Sequence, residues 1–517
     1  MYRFFHNLTG VGDILLFCNQ NLLYFHESNN IQQVHTREMA VQAPSKTYGF
    51  QKAPIQLTFV VVGAGLGGVA ASICLRLAGH RVILLEAATE LGEVGAGIQI
   101  PPPSTKILKA IGVLDAVDKV SIHPHDILVK KYKGELLSTQ NLVPYVLEKY
   151  DGMYLHIHRA DYHKVLVDRA EELGVEIHTN SRVVDIDFEK ATVTTATGKQ
   201  YSGDVIVGYD GVRSQTRALL TGDSSGAYDT GDLAYRALIK VEDMKKVPGL
   251  EKFYANPNIN FWWGPTMHIV MYFLHEGEIC NVVALCPDTL PKGVLKQDAS
   301  QEELLDLVKG WDQDLTTVFK LITSVSKWRL QDSRELKTWV NSKTGNFIIL
   351  GDASHSTLPY LASGASQAVE DGAVLAGLFS KIELRDQIPQ LLQMTENLRK
   401  WRSSQVVRGS HQCQDIYHLP DGELQEIRDS YLYDKQPELG CPNRFADPVF
   451  QDFLWGYNAF DEVERAWKEF KAGGNPTYTY PNLYKPKSSG EKDVSGGGAA
   501  ATLAAGNTPA APLSASG

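Results

Sequence analysis

Cysteine is scarce. The 517 residues hold six, at Cys18, Cys74, Cys280, Cys286, Cys413 and Cys441, and none forms a Cys-x-x-Cys pair. That argues against a disulfide scaffold and fits a reducing, intracellular and cytoplasmic setting. Long apolar runs are missing too. The nearest to the roughly 18 residues a spanning helix needs is Ile14 to Phe25, and Asn19-Gln20-Asn21 splits it, so no transmembrane segment is expected. It also lacks the basic flank and small-residue cleavage site of a signal peptide. There is no excess of positive charge: 50 Lys and Arg against 60 Asp and Glu give a net charge of -10, which disfavours nucleic acid as a partner. The 15 histidines are scattered without a His-Glu-x-x-His pattern, so no metal site is expected. No internal repeat is evident. From Ser495 to Gly517, 23 residues carry neither charge nor aromatic ring. Residues 481–517 therefore read as a disordered tail, unable to bury enough apolar area to offset the entropy of ordering.

What remains is a folded, globular composition, 43% hydrophobic and 21% charged. The length suits two or three domains, or one composite domain with elaborations. Residues 1–54 lack periodicity and read as an N-terminal extension, partly flexible. Leu57 to Val62 is an apolar strand, 66–79 a helix and Arg81 to Glu86 a second strand: one βαβ unit with parallel pairing. Helical spacing continues over 101–119 through Ile107, Leu108, Ile111, Leu114 and Val117, and again over 161–173. Residues 228–290 alternate, with β-branched and aromatic residues, and predict an antiparallel sheet. Phe347 to Leu350 is a strand ending at Gly351-Asp352, followed by helices over 365–379 and 388–411. The segment 420–472 is aromatic-rich and helical, with Trp455 and Tyr457 as packing anchors.

The fold class is α/β with an α+β elaboration: a Rossmann-like dinucleotide-binding domain plus a mixed or antiparallel sheet domain. The expected divisions are 55–227 for the βαβ region with inserted elements and 228–340 for the sheet domain. Residues 341–415 return to the first domain, and 416–480 form a C-terminal extension.

Gly63-Ala-Gly65-Leu-Gly-Gly68 places a Gly-x-Gly-x-x-Gly pattern between a strand and a helix. Gly63 permits the tight turn, Gly65 a close backbone approach to pyrophosphate, and Gly68 close helix–strand packing. The helix start offers unpaired N–H groups to phosphate. Glu86 closes the second strand, 23 residues after Gly63, where a carboxylate accepts hydrogen bonds from an adenosine ribose. This unit alone does not separate FAD from NAD.

A second block runs from Gly351-Asp352 through His355 and Pro359 to Gly364-Ala365 and Glu370-Asp371. It delivers an Asp at a strand end and a helix start suited to negative charge developing on a flavin ring. Glu370 and Asp371 read as fold or solvation features. The third block is Tyr209-Asp210-Gly211-Val-Arg213-Ser214, in which Ser214 suits a helix cap and Arg213 and Arg217 suit phosphate.

Together with Glu93-Val-Gly95-Ala-Gly97-Ile-Gln99 and His158-Arg159-Ala-Asp161, these blocks resemble the class A FAD-dependent aromatic monooxygenases, in particular the fungal salicylate hydroxylase-like branch, over roughly 55–415. The resemblance implies a hydroxybenzoate hydroxylase-like fold and no second Rossmann domain for the nicotinamide. It implies that Gly63, Gly65 and Gly68 wrap the FAD pyrophosphate and Glu86 holds the ribose. Gly97 and Gln99 lie at the flavin side of the pocket. Arg159 contacts the phosphate or ribityl region, or else forms a helix-start salt bridge. Asp210 serves flavin and reduced-nicotinamide binding, and Asp352, Gly364 and Ala365 meet the ribityl chain and ring.

Three departures stand out: Ala362-Ser363 before Gly364, Tyr209 before Asp210, and Phe273 after Tyr272 where a proline is usual. The last would alter the pocket's shape.

The implied reaction consumes NADH or NADPH and O2 and hydroxylates a phenolic, hydroxybenzoate-like or polyketide-like small molecule through a C4a-hydroperoxyflavin. The outcome is decarboxylation for an ortho-hydroxybenzoate, or a modification in secondary metabolism. The cofactor carries that chemistry while the protein positions and shields it. Arg236 is the candidate to orient an oxyanion, against a buried ion pair. Tyr272 is the candidate pocket phenol, against interface packing. His268 alternates with Val270 and Tyr272 and so shares their face. His355 suits proton movement or loop capping, and Phe261, Trp262 and Trp263 suit a pocket lining or plain core. The competing readings are an FAD-dependent dehydrogenase or reductase without oxygen insertion, and a non-enzymatic flavin-binding interaction protein. The oligomeric state is unreadable.

Overall fold

The computed structural model describes residues 48–92, 97–224, 226–433 and 436–479. Glu93 to Ala96, most of the N-terminal extension and the 481–517 tail lie outside the described residues. The described residues belong to one compact unit within Lys46–Gly517.

Apolar strands with both faces covered assemble into a five-stranded parallel sheet. Its order is Phe347–Ile349, Val205–Gly208, Thr58–Val62, Arg81–Leu85, Glu176–His178. Val60 and Val61 are fully buried, as a parallel sheet wrapped by helices requires. The helices Leu66–Leu77 and Gly364–Phe379 cross on this sheet. Glycines make the crossing close: a Cβ on Gly372 would lie 2.7 Å from Ala71 Cα. Residues from Tyr48 on do not behave as a loose extension. Tyr48 stacks on Phe460 at 5.3 Å, and Ala53 N donates to Ala78 O at 2.8 Å.

The second layer is an eight-stranded sheet. Its order is Lys296–Ala299, Val325–Ser333, Ala227–Lys240, Ile279–Pro287, Met267–Leu274, Ile259–Gly264, Asp126–Lys131, Leu136–Asn141. Every pairing is antiparallel except Ile259–Gly264 with Asp126–Lys131, so the sheet is mixed, and its last two strands come from before residue 142. Alternation sends Tyr235, Trp262, Ile269 and Phe273 into a core against the helices Gln301–Leu307 and Gln313–Phe319. The opposite face carries Ala234, Phe261, Val270 and Tyr272.

Two helix expectations change. The 101–119 pattern breaks into Pro102–Ala110 and Leu114–Lys119, because Gly112 turns the chain at φ +77°. The helix expected over 388–411 continues to Tyr417. Among the described residues no helix is long and apolar enough to cross a membrane.

The aromatic segment after 420 folds as Glu423–Ser430, Pro448–Trp455 and Ala459–Lys471; the part around Pro448–Trp455 covers the second face of the large sheet, while Ala459–Lys471 packs on the helix Gly364–Phe379 in the first core. It is anchored by charge. Glu370 and Asp371 of the helix Gly364–Phe379 meet Arg399 and Arg402 of the long helix Ile388–Tyr417, and all four side chains are 0% exposed. Arg399 donates to Glu370 and Asp371 at 2.7 Å each, and Arg402 to Glu370 at 2.8 Å. Arg402 then donates to the Phe453 and Leu454 carbonyls, with its guanidinium 4.0 Å over the Tyr457 ring. Burial alone would raise the Glu370 carboxyl; Arg402 and Arg399 outweigh it and hold it below its ordinary value. Trp455 and Tyr457 are buried anchors, as expected. Glu370 and Asp371 are fold features, but not solvated ones.

Removing one member leaves buried charge uncompensated. Glu370→Gln is expected to cost about 3–5 kcal/mol in urea unfolding. A loss under about 1 kcal/mol, the worth of an exposed pair, would contradict this role.

Candidate active site

The glycine turn has the geometry its sequence requires. Gly63 sits at φ +107°, and a Cβ there would lie 2.4 Å from the Tyr209 carbonyl oxygen. A Cβ on Gly68 would lie 2.0 Å from Gly63 O. Gly65 caps the helix Leu66–Leu77. Glu86 Oε2 accepts from Ala64 N at 2.9 Å and Oε1 from Ala88 N at 2.8 Å, which holds the carboxylate at the mouth of the turn. Glycine at these positions lets the turn fold tightly on its own backbone and present the start of the helix Leu66–Leu77, an arrangement that fits a dinucleotide pyrophosphate.

Asp210 accepts from Ser214 Oγ (2.5 Å), Thr216 N (2.8 Å) and Thr216 Oγ1 (2.6 Å), so it and Ser214 jointly cap the helix Gln215–Thr221. Arg217 is spent on the Ala353 and Val212 carbonyls, and Arg213 donates to Gln331 at 2.8 Å. These contacts bind the Arg217 guanidinium to backbone carbonyls, while Arg213 stays exposed. Tyr209, unusual before Asp210, finds space because glycines face it. Cβ atoms on Gly67 and Gly351 would meet its ring at 3.0 and 3.1 Å.

Between the two layers lies a cleft of about 310 Å³. Gly97, Gln99, Arg159, Asp352, Gly364 and Ala365 line one side. Arg236, His268 and Tyr272 line the other. Strand register explains the second group. Arg236 pairs with Val283, which pairs with Val270, which pairs with Phe261, forming one row across the sheet. His268 lies in the adjacent row through Leu285, and Tyr272 in the row on the other side through Asn281.

Each polar group has a definite setting. The Nε of Arg236 is buried without a hydrogen-bond partner. Desolvation lowers its pKa, Tyr272 partly offsets this, and Arg159 adds to it; among the described residues no carboxylate acts on it. Tyr272 is buried and its hydroxyl pKa is raised by desolvation, with Arg236 opposing. A Cβ on Gly97 would fall 2.6 Å from that hydroxyl oxygen, so Gly97 makes room for the phenol. Gln99 Oε1 accepts from the Tyr154 hydroxyl at 2.5 Å. Asp352 opens onto the cleft, yet protein surrounds it closely enough for desolvation to raise its carboxyl pKa, while His355 and Arg159 pull the other way. The helix starting at Gly364 aims its positive end at the same space.

Several expectations are corrected. His355 does not line the cleft; it is buried behind it, donating to Asp371 Oδ2 at 2.6 Å. Of the three sheet aromatics only Phe261 lines the cleft. Trp262 points to the opposite core and donates to Asp312 at 2.7 Å, and Trp263 stacks on Tyr417 at 4.1 Å. Phe273 also points away, so the missing proline leaves the cleft wall untouched. Sequence reasoning missed Tyr360 and Phe445, which complete the lining. The aromatic richness of 420–472 was the one signal for Phe445. Outside the cleft the fold gathers His158, Asp161 and His275, with ligand atoms within 4.8 Å of one another, a grouping their sequence spacing hides.

Comparison with known proteins identifies the family and the fold. A sequence model described as FAD binding domain matches residues 56–410. FAD-dependent monooxygenase OpS4 of Beauveria bassiana is 38% identical over 423 residues, 81% of this chain and 98% of that protein. A 3-hydroxybenzoate 6-hydroxylase of Polaromonas naphthalenivorans is 30% identical over 409 residues, 78% and 97% of the two chains. A salicylate hydroxylase substrate complex superposes with a TM-score of 0.66 at 22% identity, covering 80% of this chain and 98% of that one, a likeness of fold.

The histidines around the cleft carry a pH signature. Burial lowers His156 to about 3 and His418 to about 4, from an ordinary 6.5, and holds His268 well below its ordinary value. The unfolded chain then binds more protons than the folded one below about 6.5, so stability falls as pH drops through that window toward about 4. His411, raised by its bond to Asp332, works in the opposite sense. Urea unfolding across this range should show the fall, and a His156→Phe, His418→Gln double variant should flatten it. Equal slopes in the two proteins would contradict the assignment.

Proposed function

Since the chain belongs to the family of FAD-dependent monooxygenases, we propose that it uses NAD(P)H and O2 to hydroxylate a phenolic, hydroxybenzoate-like small molecule held in the 310 Å³ cleft. The observation that carries this reading is Arg236: a guanidinium beside the cleft whose Nε is buried and unpartnered, and on which no carboxylate among the described residues acts. A half-buried cation with a buried, unpartnered Nε is costly unless a ligand anion completes it. A ring carboxylate or phenolate is such an anion, and the aromatic acids named for relatives support the choice.

In this reading Gly63, Gly65, Gly68 and Glu86 hold the adenosine diphosphate part of FAD. Arg159, Asp210 and Asp352 hold its phosphate and ribityl region, and Gly97, Gln99, Gly364 and Ala365 frame its ring. Bound FAD supplies the activation of oxygen that a closed-shell aromatic ring cannot achieve alone. The protein's own groups bind and orient the substrate. Arg236 fixes the anionic group, and Tyr272 donates its hydroxyl proton to a substrate oxygen. His268 is neutral at pH 7 and Nδ1 is committed to His418, so Nε2 is the ring nitrogen left to accept a phenolic proton. Closing the cleft between two layers excludes water from the reacting atoms. With a carboxylate on the carbon attacked, hydroxylation releases carbon dioxide.

The test follows NADH and NADPH oxidation together with oxygen uptake against hydroxybenzoates, their methyl esters and simple phenols. Carboxylated phenols should be preferred. Arg236→Met should raise their KM about ten- to a hundredfold, the worth of a charged hydrogen bond, with the flavin spectrum unchanged. Equal turnover of acid and ester by the unaltered enzyme would overturn the role of Arg236.

A further inference from the structure

We infer that the C-terminal segment supplies a working part of the active site: His418 pairs with His268 to carry the substrate's phenolic proton out of the cleft to solvent. The inference rests on the proposed hydroxylation of a phenol. His418 lies beyond residues 56–410, the part of the chain matched by the FAD-binding family.

The geometry is specific. His268 is 1% exposed, lines the cleft, and its Nδ1 is 2.8 Å from His418 Nε2. His418 ends the long helix Ile388–Tyr417 and is only half-buried, so the pair leads from the cleft to the surface. The sheet holds it in place: Thr266 N, in the turn between two strands, donates to the His418 carbonyl at 3.0 Å. The ring of His268 is kept in orientation by Phe261, nearly parallel to it, and by Tyr360 and Tyr417.

Two neutral imidazoles in contact through one nitrogen each share a single proton between those nitrogens. With His268 Nδ1–H donating, His268 Nε2 is a bare base. It takes the proton of the substrate hydroxyl, and the Nδ1 proton passes to His418 Nε2. His418 then gives its Nδ1 proton to solvent water or a buffer base. One proton leaves the substrate, one reaches solvent, and both rings end neutral in the opposite tautomer. The pair is suited to this because neither ring is fixed in charge. The groups around it are Tyr360 and Tyr417 from the flanking helices, Tyr272 and Arg236 from the sheet, and Asp232. Asp232 is already bound by the Tyr360 hydroxyl and by Gln414 at 2.6 Å. Among the described residues no carboxylate acts on either histidine, and burial keeps both neutral near pH 7.

The test compares His418→Gln and His418→Ala in the FAD-loaded enzyme. Glutamine can keep a hydrogen bond to His268 but cannot take up a proton on one atom and release one from another. Both variants should lose at least about tenfold in kcat near neutral pH while KM and flavin binding stay unchanged. The pH profile of kcat should move, and added imidazole should restore part of the rate of His418→Ala. Wild-type kcat and pH profile in both variants would overturn the relay. So would an equal loss of KM, flavin binding and rate without imidazole rescue, which would make His418 structural. Failure of the unaltered enzyme to hydroxylate any phenol would instead overturn the proposed function on which the relay rests.

Discussion

Four charges with no access to water hold this molecule's working parts in register. Glu370 and Asp371 face Arg399 and Arg402 in a fully buried cluster that is neutral as a whole. Its reach exceeds its size. Asp371 Oδ2 accepts from Gly351 N at 2.9 Å and from His355, and so fixes the turn that delivers Asp352 to the cleft. Glu370 and Asp371 ride the helix whose first turn, at Gly364, opens on the same cleft. Arg402 takes hold of the Phe453 and Leu454 carbonyls and so fastens the C-terminal segment, which brings Phe445 to the cleft wall. Desolvating four ions is expensive, and apolar residues of equal volume would serve stability as well. Direction is what ions add, since each arginine fork accepts only a narrow set of partner positions.

The cleft itself depends on sheet register. Arg236, Val270 and Phe261 share a row, with His268 and Tyr272 in the rows beside it. A slip of one residue in any of these strands would turn its polar group into the opposite core. Cation, imidazole and phenol therefore come from two strands yet act on one small volume. The other side of that volume comes from the parallel-sheet domain, through Gly97, Arg159, Asp352 and the helix start at Gly364. The groups proposed to hold cofactor and those proposed to hold substrate thus face one another across a single space.

Much of this was legible in the sequence, for local reasons. The turn at Gly63 and the packing at Gly68 demand glycine through backbone geometry alone. The two-residue period of a strand placed His268 and Tyr272 on one face. The same period, unread at Trp262 and Phe273, would have sent both away from the cleft. What escaped depends on partners distant in the chain. His355 next to a flavin motif looked like a site residue, but Asp371, on the next long helix, claims it. Strands Asp126–Lys131 and Leu136–Asn141 are short and partly polar, and only their partners at Ile259–Gly264 make them part of the sheet. His418 carries no motif; a helix running six residues past its expected end, to Tyr417, places it. Tyr209 looked foreign until Gly67 and Gly351 were seen to accommodate it.

If this cleft transfers an oxygen atom to an aromatic ring and does not merely oxidise reduced nicotinamide, turnover under heavy-isotope dioxygen, with the product weighed by mass spectrometry, will show it. One labelled oxygen atom is expected in each product molecule, with ligand and NAD(P)H consumed together. Ligand-stimulated NAD(P)H consumption that yields labelled hydrogen peroxide or water and an unlabelled, unchanged ligand would contradict it.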